Sequence, residues 1–180
     1  MTQTKYVAFL RGVNVSGHKS VKMDELKKLF ESLGFENVKT VLNSGNVIFE
    51  TGKTSNDDLT HKIESGLFNK LKLKTGVTIR VFETLKLIAD SEPFRNIVIT
   101  PQTRLYVTFL KTINSSKKKL YEKTNENEFK FLKISDTEIL SVLNLSVGTG
   151  TVDFMKFLEK EFGREITTRN WNTIIRILKK

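Results

Sequence analysis

Val38-Lys39-Thr40-Val41-Leu42-Asn43-Ser44-Gly45-Asn46-Val47-Ile48-Phe49-Glu50 decides the fold. Two apolar-rich runs, roughly Val38 to Leu42 and Val47 to Glu50, flank Asn43-Ser44-Gly45-Asn46, whose residue types suit positive φ. The stretch is therefore a hairpin, with Gly45 and an Asn in the left-handed region. Upstream, Lys5-Tyr6-Val7-Ala8-Phe9-Leu10 has the composition of a strand, and Met23, Leu26, Leu29, Phe30 and Leu33 recur at helical spacing until Gly34. Downstream, Ser55 or Asp57 caps a helix carrying Leu59, Ile63, Leu67 and Leu71. Val77-Thr78-Ile79-Arg80-Val81-Phe82 then alternates as a strand. The order β-α-β-β-α-β is the split βαβ, or ferredoxin-like, plait.

The second half repeats the order less completely. A helix from about Thr84 to Asp90 leads into Ser91-Glu92-Pro93, and the other proline is Pro101. The boundary belongs between them, giving a first plait over 1–90, a linker over 91–102 and a second plait with two C-terminal helices over 103–180. Its elements are a strand at Arg104 to Leu110, a short helix around Lys117 to Lys123, and a hairpin of Phe129 to Ile134 with Glu138 to Leu145. A helix with Phe154, Phe157, Leu158 and Phe162 ends at Gly163, and a last helix carries Trp171, Ile174, Ile175 and Leu178. The expected fold class is α+β, two ferredoxin-like (βαββαβ) α-β plaits, the second incomplete by one strand. Arg95-Asn96-Ile97-Val98-Ile99 is the candidate for that strand, and the internal repeat rests on element order rather than on matching residues. In the first strand Tyr6, Ala8 and Leu10 face one side and Val7 and Phe9 the other, so both sheet faces are apolar and the second half or a partner covers one of them.

The 180 residues, 38% apolar with 13 Phe, supply a real core. Neither an apolar run of membrane-spanning length nor a secretory leader is evident, so the expected location is cytoplasmic, away from membranes. The absence of cysteine excludes disulfides and thiolate chemistry, and His18 and His61 are too few for a histidine zinc site. No metal is expected, the cofactor and any catalytic residue are unknown, and the oligomeric state is not legible. A net charge of +10 attracts anionic partners by long-range field, but Lys outnumbers Arg, which favours a solvated surface over specific phosphate recognition.

Three polar clusters carry ligand chemistry: Arg11-Gly12-Val13-Asn14-Val15-Ser16-Gly17, Asn43-Ser44-Gly45-Asn46 and Thr167-Thr168-Arg169-Asn170-Trp171-Asn172-Thr173. The first follows a strand and precedes a helix, where Gly12 and Gly17 permit an anion-holding nest of backbone N–H groups. Asp24 and Glu25 in the helix's opening turn place any anion on the loop rather than the helix axis. The spacing fits neither a P-loop nor a dinucleotide fingerprint. In the third, Thr167 or Thr168 caps the last helix and Arg169 occupies its first turn, where a cation opposes the dipole unless an anion answers it. Trp171 is then at the centre of the buried stripe, with Asn170 and Asn172 at its edges. The candidate ligand-binding residues are Arg11, Gly12, Asn14, Gly17, Ser44, Gly45, Asn46, Arg169, Asn170, Trp171 and Asn172.

The chain also resembles a bacterial family known only as a domain of unknown function, number 1697. The resemblance rests on Tyr6 to Gly17, Val21-Lys22-Met23, Leu33-Gly34-Phe35, Ser44 to Phe49 and Thr168-Arg169-Asn170-Trp171-Asn172-Thr173, with Ser16 where it leads one to expect glycine. It implies paired plait-like α+β subdomains and no activity.

Three functions compete. The first is binding, with or without turnover, of a small anionic or phosphorylated metabolite where the Arg11 loop and the Arg169 helix start converge between the subdomains. The second is RNA or other nucleic-acid binding, suggested by the charge and by a fold that stacks bases on an outer sheet face, though the doubly apolar first strand opposes it. The third, hydrolysis of a phosphate ester or acyl phosphate, is fold-level analogy.

Overall fold

The structure, a computed structural model, describes residues 3–14, 20–111 and 128–180. They form two four-stranded antiparallel sheets in two compact units, Met1–Asp90 with Thr173–Lys180, and Ser91–Asn172. Each sheet has the strand order of the ferredoxin-like plait, the first strand central between the third and the fourth.

In the first unit β1 (Gln3–Leu10) is followed by α1 (Met23–Ser32), β2 (Glu36–Val41), β3 (Asn46–Gly52), α2 (Asn56–Leu71), β4 (Val77–Val81) and α3 (Phe82–Asp90), with sheet order β2-β3-β1-β4. Gly34, at φ +82°, ends α1, and its N–H donates to the Glu31 carbonyl. Ser55 caps α2, its hydroxyl accepting from the Asp58 N–H at 3.0 Å. The hairpin forms as expected, but its left-handed residues are Gly45 and Leu42 (φ +58°) rather than an Asn; ladder pairing of Val41 with Asn46 starts the turn one residue earlier than the side-chain pattern suggests.

Tyr6, Ala8 and Leu10 point into a core with Phe30 of α1, Ile63 and Leu67 of α2, and Phe49. Val7, Phe9 and Ile48, on the other face, are equally buried. α3 packs against β1 and β4 and buries Leu85 and Ile88 outside that core. Lys39, in register with Ile48 and Val7 on this face, donates to the Lys180 carbonyl at 3.0 Å, which brings the C-terminus to it. The second face of the sheet is thus met from within the first unit.

The second unit contains β5 (Thr103–Leu110), β6 (Phe129–Ile134), β7 (Glu138–Asn144), a 3-10 turn (Leu145–Val147), α4 (Thr151–Phe162) and β8 (Ile166–Asn170), in sheet order β6-β7-β5-β8. α5 (Trp171–Leu178) begins here and passes to the first unit at Thr173. The helix expected around Lys117 to Lys123 lies outside the described residues. Four expectations need correcting. The plait is not short of a strand, because Ile166–Asn170 is β8, pairing with β5 from Leu110–Ile166 to Tyr106–Asn170. Residues 95–99 form turns and coil, not that strand. Thr167, Thr168 and Arg169 therefore lie in a strand and not at a helix start; Asn170 caps α5 instead, its Oδ1 accepting from the Asn172 N–H at 2.9 Å. Trp171 is half-buried, its ring edge-on to Phe94 at 5.1 Å, while Thr173, Ile174 and Ile177 form the buried stripe of α5.

The repeat also extends to matching residues. Tyr6-Val7-Ala8-Phe9-Leu10 returns as Tyr106-Val107-Thr108-Phe109-Leu110, four of five identical, at the same place in each sheet. Across the first sheet Lys39, Ile48, Val7 and Arg80 lie in one row, and Lys133, Leu140, Val107 and Arg169 form its counterpart in the second.

Candidate functional site

The first two polar clusters meet at one end of the first sheet, through Asn14. Its Nδ2 donates to the Val21 carbonyl at 2.9 Å and to the Asn43 carbonyl at 2.8 Å, and its Oδ1 accepts from the Val21 N–H at 2.8 Å. Asn14 holds φ +57°, a conformation an Asn tolerates better than most L residues. One side chain thus ties the loop after β1 to the approach of α1 and to the β2-β3 turn. Asn14 serves here by building the site.

The turn is fastened from its own side. Asn46 is fully buried and its Nδ2 donates to the Val41 carbonyl at 2.9 Å and to the Ser44 hydroxyl at 3.0 Å. The Leu10 N–H donates to the Gly45 carbonyl at 2.8 Å, pressing the turn onto β1. Gly45 is at φ +71°, and a Cβ there would stand 2.9 Å from that of Leu10. On the opposite side of β1, the Arg11 N–H donates to the Gly76 carbonyl at 2.9 Å and the Thr75 hydroxyl donates to the Arg11 carbonyl.

What this scaffold leaves toward solvent is a partly buried Arg11, exposed Gly12 at φ +63°, partly buried Ser44 and exposed Gly76. Next to Gly76, the Glu64 Oε1 accepts from the Val77 N–H at 2.9 Å, and Asp24 and Glu25 stand in the first turn of α1. Gly17 and His18 lie outside the described residues, and His61 is on the exposed side of α2.

The third cluster lies in the second unit up to Asn172. Arg169 is nearly buried in β8, with Nη1 donating to the Thr168 carbonyl at 3.0 Å, and loss of solvation lowers its pKa to about 10. Its register counterpart in β4, Arg80, is also buried and donates from Nη1 to the carbonyl before it, that of Ile79, at 2.7 Å. That likeness marks the position as a shared feature of the two plaits. Asn170 is occupied by its capping bond and Asn172 is exposed. Asn144 caps the 3-10 turn Leu145–Val147, its Oδ1 accepting from the Ser146 N–H at 3.1 Å. Among the described residues no three His, Cys, Asp or Glu side chains form a group that could hold a metal, and no helix is long and apolar enough to cross a membrane.

A family model described as a protein of unknown function, DUF1697, matches residues 3–138, which include the Arg11 loop, the hairpin and the first plait entire. The chain belongs to that family. Among solved structures it is similar to a conserved bacterial protein, SP0830 from Streptococcus pneumoniae, at 22% identity and a TM-score of 0.75, covering 99% of this chain and 98% of that one. This likeness supports the paired-plait fold and nothing about activity. An unknown protein from Galdieria sulphuraria aligns at 12% identity over 94% of this chain and 98% of that one, with a TM-score of 0.29 that carries no argument. No curated protein matches the chain.

Proposed function

We propose that this DUF1697 protein binds a small anionic metabolite at the Arg11 end of the first sheet. The observation that carries this is the Asn14 bridge, which spends three hydrogen bonds on holding the loop against the hairpin turn and so fixes Arg11, Gly12 and Ser44 around one end of β1. A guanidinium next to the exposed Gly12 suits an oxyanion, and a site fixed by the scaffold keeps the ordering cost of binding low. Burial of Val7, Phe9 and Ile48 favours this reading over RNA binding, because a base-stacking plait needs that sheet face open. The expected setting is the cytoplasm, in keeping with a chain free of cysteine.

Calorimetric titration of wild type and Arg11→Ala with a panel of carboxylate and phosphate ligands tests the reading. Losing one charge-assisted hydrogen bond costs about 1.5 to 3 kcal/mol, so affinity should fall roughly 10- to 150-fold, with the urea midpoint unchanged. Equal affinities for the two proteins would end the proposal.

A further inference from the structure

Ile97-Val98-Ile99 is an apolar run that forms no strand, and it is not buried either: Val98 is 82% and Ile99 62% exposed. It is nevertheless fastened. The Thr103 hydroxyl accepts from the Thr100 N–H at 3.0 Å and donates to the Val98 carbonyl at 3.3 Å, and the Thr103 N–H donates to the Thr100 carbonyl at 3.0 Å. These bonds hold the run beside the start of β5, where Ile97, Val98 and Thr100 form one wall of a cavity of about 250 Å³.

The floor of the cavity lies on the sheet face opposite the aromatic core. Lys130 of β6 is in register with Val142 of β7 and alternates with Phe129, which is part of that core. The neighbouring row pairs Asn144 with Thr103, and the Asn144 N–H carries it on to Glu128 by donating to the Glu128 carbonyl at 2.7 Å. Glu128 and Lys130 therefore line one cavity from positions two residues apart, roughly 7 Å along an extended chain. Among the described residues the Lys130 ammonium has no hydrogen-bond or ion-pair partner. Of the Glu128 carboxylate only Oε2 is engaged, accepting from the Thr149 hydroxyl at 2.6 Å. The cavity thus presents one cation, one anion and an apolar wall.

We propose that this cavity binds a free α-amino acid with a branched apolar side chain. The ligand's ammonium answers Glu128, its carboxylate answers Lys130, and its side chain takes the apolar surface of Ile97, Val98 and Val142. The pair of opposite charges is what selects a zwitterion. A simple carboxylate gains from Lys130 but is repelled by Glu128 with similar strength at similar distance, and a simple amine meets the converse. Only a ligand with both charges makes a charge-assisted hydrogen bond at each end. The volume lies below the roughly 300 to 1,000 Å³ of pockets for drug-sized ligands, which suits an amino acid. The lining residues all belong to the second unit, and the proposal does not depend on the anion-binding reading of the Arg11 end.

The test follows backbone amide signals of the full chain by NMR, near neutral pH and at fixed ionic strength. The probes are L-leucine, 4-methylpentanoate, 3-methylbutylamine and glycine, which in turn present both charges and the side chain, or lack the ammonium, the carboxylate or the side chain. Leucine should move the Val98, Thr100, Thr103 and Val142 signals saturably, and each of the others should bind more weakly by roughly threefold or more, the scale of one solvent-accessible ion pair or more. Lys130→Met should erase the advantage of leucine over 3-methylbutylamine, and Glu128→Gln, which keeps an acceptor for the Thr149 hydroxyl, should erase its advantage over 4-methylpentanoate. Any of the three partial probes binding as tightly as leucine overturns the proposal. So do both advantages persisting in the variants, leucine shifts confined to the Arg11 loop, or no saturable shift with any probe.

Discussion

Gly45→Ala is the sharpest perturbation of the scaffold that holds the Arg11 end. Two terms oppose it. Gly45 is at φ +71°, and an L residue there pays roughly 1 to 2 kcal/mol. The new methyl would stand 2.9 Å from Leu10 Cβ and 3.1 Å from Val13 Cβ. Neither atom can swing away by changing rotamer, since a Cβ is fixed to its backbone. The Leu10 backbone is held to the turn by its own 2.8 Å hydrogen bond to the Gly45 carbonyl, so relief means breaking that bond or shifting β1. Overpacking of this kind costs about 1 to 3 kcal/mol, for a total of about 2 to 5. Gly12→Ala is the control: φ there is +63° but none of the described residues has an atom within 4 Å of the added Cβ, so the backbone term of about 1 to 2 kcal/mol is the one expected. Because Trp171 belongs to the second unit, its fluorescence is a poor reporter here. Hydrogen exchange of the β1 and β3 amides under increasing urea resolves the first unit. If Gly45→Ala proves no more destabilising than Gly12→Ala, the turn is not pressed against β1 and the argument for a fixed site fails.

Asn14→Asp keeps the acceptor for the Val21 N–H but loses both donors, and should cost about 1 to 3 kcal/mol by the same exchange measurement while also weakening anion binding; an unchanged affinity would separate the bridge from the site. The folded pKa of Arg169, about 10, lies below the unfolded value, so the unfolded state holds the proton more tightly and burying the charge costs stability at neutral pH; that cost fades as pH rises above about 10 toward the ordinary arginine range. Urea melts of wild type and Arg169→Met at pH 8 and pH 11 should therefore show wild type gaining relative to the variant at the higher pH, and a constant difference contradicts the desolvation account. Trp171→Ala, which removes a half-buried ring edge-on to Phe94, should cost about 1 to 3 kcal/mol, short of the 3 to 5 typical of a fully buried aromatic. Single-stranded RNA binding, if observed, should be weak and vanish near physiological salt; tight binding there reverses the ranking of functions.

The first plait was legible because its elements carry their own signals: an apolar, aromatic-rich run in β1, alternation in β4, helical spacing with a Ser cap in α2, and a Gly-Asn turn between β2 and β3. β8 was not, for a physical reason. Ile166-Thr167-Thr168-Arg169-Asn170 holds one aliphatic residue among polar ones, and its Thr-Thr pair looks like a helix cap when Trp171 and Ile174 follow at helical spacing. A strand next to the central one can bury Thr and Arg because ladder bonds and neighbouring side chains satisfy them, and Thr168 does so with Thr108 at 2.9 Å. The signal that could have found it was the repeat. Tyr106 to Leu110 matches Tyr6 to Leu10 almost residue for residue, and Val77-Thr78-Ile79-Arg80 aligns with Ile166-Thr167-Thr168-Arg169, which places a strand ending in a helix at both. At the site, the polar clusters marked where the chain turns, but whether Asn14 binds ligand or backbone depends on what lies across the turn, and that is a tertiary fact.

The duplicated plait separates what the fold demands from what one copy has kept for another reason. Tyr6 pairs in register with Phe49, stacked at 5.7 Å, whereas Tyr106 pairs with Ser141, whose buried hydroxyl has no hydrogen-bond partner among the described residues, and the second core draws instead on Phe129, Phe131, Phe154 and Phe157. Asn46, which fastens the first hairpin, is matched by Glu138, held by Thr137 and Ser135 in the second. Both exchanges alter the interior, and each copy compensates within itself. The exchange of Gly76 for Glu165 alters only an exposed strand entrance, and the second unit shows that this entrance tolerates a long charged side chain. Gly76 meets Arg11 just beyond the end of the β1-β4 ladder, its carbonyl accepting from the Arg11 N–H at 2.9 Å at the end of β1 on which the anion site depends.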